Sequence, residues 1–378
     1  MKILIVMTGF FPGQKFGGPP VSVDNFCSLM KEHECYIVTR NHDMGDTEVY
    51  STIKEGWNNR GNCKVLYLSD KDYCYKSYEK VIIELHPDII YLQGLFQNCI
   101  IPCLILAKKY NISVVLAPRG ELCAGAFKKK YKKIPYIIFL KVFKLLKKVH
   151  FQSTSNDETS AIIKHLKVER EQVDLLSNIP SIPVSKNIEN RKETGHANFI
   201  FLSRIVSKKN LLSVIEYMFG IEGNVQLDIY GAIEDEEYWN ECNKKISSLP
   251  NNIKVEYKGL VEHEKVHETF RRYDAFIFPT LSENFGHVIA EALMVGCPVI
   301  ISDQTPWTDV SHVEGGWSIA LENSEKYIQA IQEIVDADEA KEKMYKENIL
   351  TYIEKKMNLK ELKERYNNCL KKAMMENE

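Results

Sequence analysis

The sequence predicts an α/β protein built from two doubly wound domains, each a mostly parallel sheet flanked by helices. Three observations lead there. The chain has 378 residues, more than one ordinary domain and suited to two. Short Val/Ile/Leu/Phe runs without polar alternation recur, each followed by a Gly or polar turn and a helical segment. Strands buried on both faces read that way. Finally, the stretch Ser177–Ala197 holds Pro180, Pro183, Asn187, Asn190 and Gly195 among many charges and has no hydrophobic period, which marks a linker.

Taken in order, Ile3–Met7, Tyr36–Thr39, Val65–Leu68, Ile89–Leu92 and Ser113–Ala117 read as strands, with Val149–Ser153 closing the first set. Phe199–Ser203, Val225–Tyr230, Lys254–Tyr257, Ala275–Phe278 and Val299–Ser302 form the second. Helical patterns cover Val21–Lys31, Ser77–Leu85, Asp157–Leu166, Val266–Tyr273 and Val288–Val295, and the tail Lys326–Glu378 reads as charged helices. The division expected is residues 1–180 and 181–354, with a last helix at about 355–378 packing back on the first domain. Two such domains place ligands in a cleft outside their strand C-termini.

Hydrophobic residues make up 44% and charged residues 26%, enough for real cores and contrary to disorder. A net charge of −2 provides no global field for nucleic acid, and no recognition module accompanies the local basic segment. The ten cysteines form no C-x-x-C pair and scatter through apolar runs, the pattern of buried thiols in a reducing compartment. Ile3–Met7 is too short for a signal sequence and is interrupted by Gly9, Pro12 and Gly13, so it reads as a buried first strand.

Chemistry-bearing residues gather after strand ends. Ser282-Glu283-Asn284-Phe285-Gly286-His287 follows the strand ending at Pro279 and opens a helix. A glycine loop at a helix N-terminus presents free amides and a positive dipole end to a phosphate. Glu291, one turn on, reads either as an acceptor for ribose hydroxyls or as a partner of the helix dipole. Glu283 reads either as a ligand of sugar hydroxyls or as a plain loop carboxylate. Ser203-Arg204-Ile205-Val206-Ser207-Lys208-Lys209-Asn210 follows the strand from Phe199; its cations suit a diphosphate, although Lys208 reads as solvated. Gly17-Gly18-Pro19-Pro20 opens the first helix, where glycine lets a ligand approach the backbone or makes a plain turn.

Together these pieces resemble the retaining GT-B glycosyltransferases of glycosyltransferase family 4, also called glycosyl transferases group 1. The resemblance spans the chain. It rests on Gly17-Gly18, Arg204, Lys209, the unit Glu283-Asn284-Phe285-Gly286 through Glu291-Ala292, the preceding Tyr273–Thr280, and Gly296-Cys297-Pro298. It implies two Rossmann-like domains facing across a cleft, with the acceptor on the first and the nucleotide-sugar on the second. It implies hexosyl transfer with retention and without metal or cofactor. Arg204 and Lys209 would hold the donor diphosphate as charge develops on it. Glu291 would bind the ribose and Glu283 the transferred sugar. Asn284, Phe285, Gly286 and His287 would line the donor site, with Gly17 and Gly18 beside the diphosphate or acceptor. A UDP- or GDP-sugar is the expected donor, and a glycan or lipid-diphosphate-linked saccharide the expected acceptor. The expected setting is surface polysaccharide synthesis on the cytoplasmic side of a membrane. A phosphorylase or sugar-nucleotide epimerase on this architecture, and a non-catalytic partner subunit of the same fold, are the alternatives.

The chain departs from the family where many members carry a His facing the donor sugar. Here the strand runs into Pro118-Arg119-Gly120, and Arg119 is the candidate for that contact; Gln93 stands where relatives often have His. Three other patterns read as decoys. His263-Glu264-Lys265-Val266-His267 matches a zinc-protease spacing but interrupts a βα rhythm. Asp70-Lys71-Asp72 falls in a polar loop, and Asp336-Ala337-Asp338 reads as helix surface. The segment Phe127–Lys148 interleaves Lys128, Lys129, Lys130, Lys132, Lys133, Lys141, Lys144, Lys147 and Lys148 with apolar and aromatic residues and no acid. It reads either as a contact for an anionic membrane or lipid diphosphate, or as a core helix with a solvated lysine face.

Overall fold

The structure, a computed structural model, describes residues 1–123, 127, 130–183 and 192–375. Lys128, Lys129 and the middle of the expected linker, including Asn187 and Asn190, lie outside the described residues. The chain divides into two compact units, Met1–Ile179 with Leu359–Glu378 and Pro180–Asn358.

Unit 1 carries β1 (Lys2–Val6), β2 (Glu34–Arg40), β3 (Trp57–Arg60), β4 (Cys63–Leu68), β5 (Ile89–Gln93), β6 (Ser113–Ala117), β7 (Val149–Ser153) and β8 (Val173–Leu175). They form one sheet in the order β3-β4-β2-β1-β5-β6-β7-β8. Every pairing is parallel except that of β3 with β4. Its helices are α1 (Gly18–Leu29), α2 (Tyr75–Leu85), α3 (Ile100–Tyr110), α4 (Lys130–Val142) and α5 (Asn156–Leu166). Strands β5, β6 and β7 are buried along their whole length, which is why their sequences show no alternation.

Unit 2 carries β9 (His196–Leu202), β10 (Asn224–Tyr230), β11 (Ile253–Gly259), β12 (Ala275–Phe278), β13 (Val299–Ser302) and β14 (Gly316–Ile319). Its helices are α6 (Leu211–Tyr217), α7 (Glu236–Ile246), α8 (Val266–Phe270), α9 (His287–Met294), α10 (Ser324–Asp336) and α11 (Glu339–Met357). The sheet order is β11-β10-β9-β12-β13-β14, all parallel. The chain winds outward from β9 one way, then returns to wind the other way from β12. The crevice between the C-terminal ends of β9 and β12 is therefore a topological switch point, where open α/β sheets bind ligands.

Several elements differ from the expectation. β7 does not close the first sheet, because β8 adds beyond it. β3, β8 and β14 escape sequence reading because they are three- or four-residue edge strands with polar or glycine content. α1 starts at Gly18, three residues before Val21. The tail break falls at Asn358, so residues 355–357 end α11 and the last helix, α12, runs Leu359–Met375. Of Asp336-Ala337-Asp338, Asp336 is the exposed last residue of α10, as expected, whereas Ala337 is extended and buried and Asp338 caps α11 by accepting from Lys341 N at 2.8 Å. The first residues of the expected linker belong to unit 1, with Ile179 buried and its carbonyl accepting from Asn25 Nδ2 at 2.9 Å.

α12 belongs to unit 1 although it follows unit 2 in sequence. It buries Leu362, Tyr366, Cys369, Leu370 and Ala373. Gln152 Nε2 donates to Tyr366 OH at 2.8 Å, and Tyr366 OH donates to Ser177 O at 3.0 Å. Each large apolar side chain contributes about 1.5–3 kcal/mol on burial. Removing residues 359–378 should therefore destabilise unit 1 by an amount comparable to a domain's whole stability, roughly 5–15 kcal/mol. Differential scanning calorimetry should then show the unit 1 transition lost or moved far down, and a unit 2 transition retained.

Candidate functional site

The loops leaving β9 and β12 are tied together at the unit 2 switch point. Leu281 N donates to Lys208 O at 3.0 Å, and Asn210 Nδ2 to Pro279 O at 3.0 Å. Lys209 and Glu283 form a direct ion pair across them, with side chains only 12% and 15% exposed. The Lys209 ammonium also lies 5.4 Å from the centroid of the Phe278 ring. Lys208 keeps an exposed side chain and serves through its carbonyl.

The second loop is shaped by Gly286, which takes a left-handed conformation (φ 73°, ψ 63°) as N-cap of α9 and makes no side-chain capping bond. Ile289 N and Ala290 N donate to the Gly286 carbonyl at 2.9 and 3.1 Å, and the positive dipole end of α9 points out of this turn. Phe285 is held from behind, its carbonyl accepting from Trp307 Nε1 and its ring 5.5 Å from that of Trp307. His287 places its ring 4.8 Å from Phe285. Glu283 N donates to Gln304 O at 3.0 Å, and Asn284 is exposed.

Arg204 is not drawn into the Lys209–Glu283 pair. Its guanidinium reaches Glu234 at 3.0 Å and stays about half exposed. The backbone beside it is constrained by Gly231, at φ 136°, where a Cβ would lie 1.8 Å from Ser203 O. Ile205 N then donates to Ala232 O at 2.8 Å. Glu234, Gly231 and Trp307 were not singled out in the sequence. Only Gly231, a glycine directly after a strand, carried a readable signal.

Glu291 is buried, one turn into α9. Burial raises its pKa to about 8 from an ordinary 4.5. His263 lies beside it, with Nδ1 3.8 Å from Glu291 Oε1 and Nε2 3.4 Å from Ser181 Oγ. His263 thus has a place at this site. His267, the other histidine of that motif, is half-buried, and desolvation lowers its pKa to about 4.

Unit 1 has its own cavity, of about 430 Å³, at the ends of β1 and β5; Gly9, Phe16, Pro19, Gln93, Arg119 and Glu121 are among its lining. Arg119 has a left-handed backbone (φ 55°). It donates from Nε to Gln93 Oε1 at 2.8 Å, from Nη1 to Asn178 Oδ1 at 2.5 Å and from Nη2 to Tyr91 OH at 3.4 Å. The buried Glu158 anchors this turn by accepting from Gly120 N at 2.6 Å and Thr154 N at 2.8 Å. Gly17, at φ 70° and ψ −140°, is the N-cap of α1; Gly18 follows, between the lining residues Phe16 and Pro19. That backbone conformation is open only to glycine. Elsewhere in unit 1, Asp70 pairs with Arg40 at 3.1 Å and His42 at 3.2 Å, and Asp72 accepts from Ser69 Oγ. Among the described residues, His150, Asp174 and Cys369 bring possible metal-ligand atoms together. Lys372 already pairs with Asp174 there at 2.7 Å, which suits an ionic dock for α12.

Two parallel-sheet domains with this loop architecture are those of a GT-B glycosyltransferase fold. Residues 185–350 match the family described as Glycosyl transferases group 1, so unit 2 carries that domain. The chain is similar to Anabaena HepE in complex with UDP and glucose (TM-score 0.70, 15% identity, 98% of this chain and 100% of that one). It is also similar to WaaG, a glycosyltransferase involved in lipopolysaccharide biosynthesis (TM-score 0.64, 14% identity, 97% and 99%). At these identities the likeness establishes the fold. An uncharacterized 41.2 kDa protein in the cps region of Klebsiella pneumoniae is 24% identical over 262 residues, 64% of this chain and 68% of that protein.

Two outcomes follow. Gly231→Ala should force Ser203 and Arg204 aside and cost roughly 2–4 kcal/mol by denaturant unfolding. Glu291 holds a proton in the folded state between pH 4.5 and about 8 that the unfolded chain has released. Its contribution to stability is therefore undiminished below pH 4.5, falls as pH rises to 8, and is level above. Glu291→Gln should melt higher than wild type at pH 8, and the gap should close as pH falls to 4.5.

Proposed function

We propose that this protein is a retaining glycosyltransferase that moves a hexosyl group from a UDP- or GDP-sugar to an acceptor hydroxyl. The acceptor class is a glycan or lipid-diphosphate-linked saccharide in surface polysaccharide synthesis, met on the cytoplasmic side of a membrane. The observation that carries this reading is the Lys209–Glu283 pair beside the glycine-turned N-terminus of α9, within the span matching Glycosyl transferases group 1. UDP in the HepE complexes supports the donor class. WaaG's role in lipopolysaccharide biosynthesis and the relative in the Klebsiella pneumoniae cps region support the setting.

In the pair, each charge neutralises the other. An arriving diphosphate competes for Lys209 and releases Glu283 to accept from sugar hydroxyls. Arg204 exchanges Glu234 for phosphate oxygens, and the amides at Phe285 and Gly286 complete the cradle, with Asn284 and His287 at its rim. Glu291 accepts from the ribose hydroxyls. Arg119 is assigned to the transferred sugar or its phosphate, and Gly17-Gly18 to close backbone approach. The acceptor oxygen bonds to the anomeric carbon on the face the diphosphate leaves, and the acceptor proton passes to a leaving phosphate oxygen. Lys209 and Arg204 stabilise the charge that develops. The reading uses no metal and no cofactor.

Thermal unfolding with UDP, GDP, ADP or CMP in EDTA tests the donor site. A ligand at about a hundred times its dissociation constant stabilises by roughly 2.7 kcal/mol. One nucleotide should raise the midpoint in wild type and much less in Glu291→Gln. No shift from any nucleotide or intact sugar-nucleotide would overturn the reading. In a transfer assay, Lys209→Ala should lower kcat by about 10²–10³, and Arg119→Ala should lower turnover while nucleotide affinity holds. Turnover that depends on a divalent ion would refute the metal-independent step.

A further inference from the structure

We propose that the α3–α4 face of unit 1 is a docking site for an anionic phospholipid surface, with an apolar ridge that enters the bilayer and a lysine-rimmed cavity that takes a phosphate headgroup. This stands apart from the donor reading, since no residue of it belongs to unit 2.

α4 is held by its inner face. Ile137 and Leu140 are buried there, and Tyr136 OH donates to Leu95 O at 2.8 Å. Its outer face is apolar too. Tyr131, Ile134, Ile138 and Val142 follow one another at helical spacing and are 72%, 45%, 53% and 68% exposed. Phe139 and Phe143 add a pair of exposed rings with centroids 4.5 Å apart. A helix apolar on both faces is expected in a buried position, and a ridge of this kind left in water marks an interaction surface.

The charge around the ridge selects the occupant. Beyond α4, Lys144, Lys147 and Lys148 join Lys108 of α3 around a cavity of about 280 Å³ with an apolar lining that includes Leu104 and Val149. No acidic residue is among the described residues lining it. Lys108 Nζ donates to Phe143 O at 3.4 Å, which joins the cavity to the end of the ridge. Cations over an apolar floor match a phosphate carried on a glycerol stem, and protruding aliphatic and aromatic side chains match the acyl boundary beneath it. Among the described residues no helix is long and apolar enough to cross a membrane, so the contact is interfacial.

The test is flotation of the full chain with phosphatidylcholine vesicles, and with vesicles in which roughly a third of the lipid is phosphatidylglycerol. The protein should float with the anionic vesicles alone, and added salt should release it. Ile138→Asn/Val142→Asn and Lys144→Ala/Lys147→Ala should each weaken vesicle binding more than tenfold. Both pairs are surface changes, so thermal midpoints and any nucleotide-induced shift should stay at wild-type values, which keeps this test separate from that of the donor site. No flotation with anionic vesicles, or flotation unchanged in both variants, overturns the proposal. So does glycerol phosphate protecting Lys144 and Lys147 from acylation in a protein that ignores vesicles, which would make the cavity a site for a free phosphate ester. A dimer broken by Ile138→Asn/Val142→Asn in sedimentation would give the ridge to a second copy of the chain.

Discussion

The site in unit 2 depends on the adjacency of β9 and β12, strands far apart in sequence and paired through Phe199↔Ala275 and Ile200↔Phe276. That pairing brings the loops at 203–210 and 279–286 side by side, where backbone bonds to Lys208 O and Pro279 O fix their spacing. Only then can Lys209 and Glu283 meet. A half-buried ammonium and carboxylate are costly apart and neutral together, so each loop's position stabilises the other's. Glycine makes the approach feasible at two points: Gly231 leaves room for the Ser203 carbonyl, and Gly286 turns the chain into α9.

Burial then differentiates the acidic groups. Glu283 has a cation in contact and keeps some solvent. Glu291, with His263 at 3.8 Å, is shut away from solvent, so its proton is retained toward pH 8. On the proposed reading, a ribose hydroxyl donating to Glu291 would favour the ionised form and couple binding at neutral pH to release of a proton. Strain and desolvation of this kind belong at functional sites.

Much of this was legible in the sequence, and the parts that were not share a cause. Central strands announced themselves as unbroken apolar runs. Edge strands β3, β8 and β14 did not, because a short strand with one neighbour needs little apolar surface. The loop residues Lys209, Glu283 and Gly286 were visible by their position between a strand and a helix. Glu234 and Trp307 were not, since their importance lies in partners Arg204 and Phe285 reached only through the fold. His263 was visible for the wrong reason: its spacing to His267 suggested a metal pair, whereas its neighbour is Glu291 on another element. Local spacing identifies what one helix can present, but not what a second element brings to it.

The lysines show the same limit in another form. Composition yields one number, a net charge of −2, which speaks against any general affinity for anions. The structure resolves that number into opposite local arrangements. Lys209 is matched by Glu283 within a half-buried loop pair, and Lys372 by Asp174 beneath α12, so neither adds much to the outer field. Lys108, Lys144, Lys147 and Lys148 converge on a cavity with no carboxylate among its described lining. Screening limits their reach to about 8–10 Å in physiological salt, so distant acidic residues do little to cancel them. A nearly neutral net charge is therefore compatible with local lysine clusters of quite different electrostatic character.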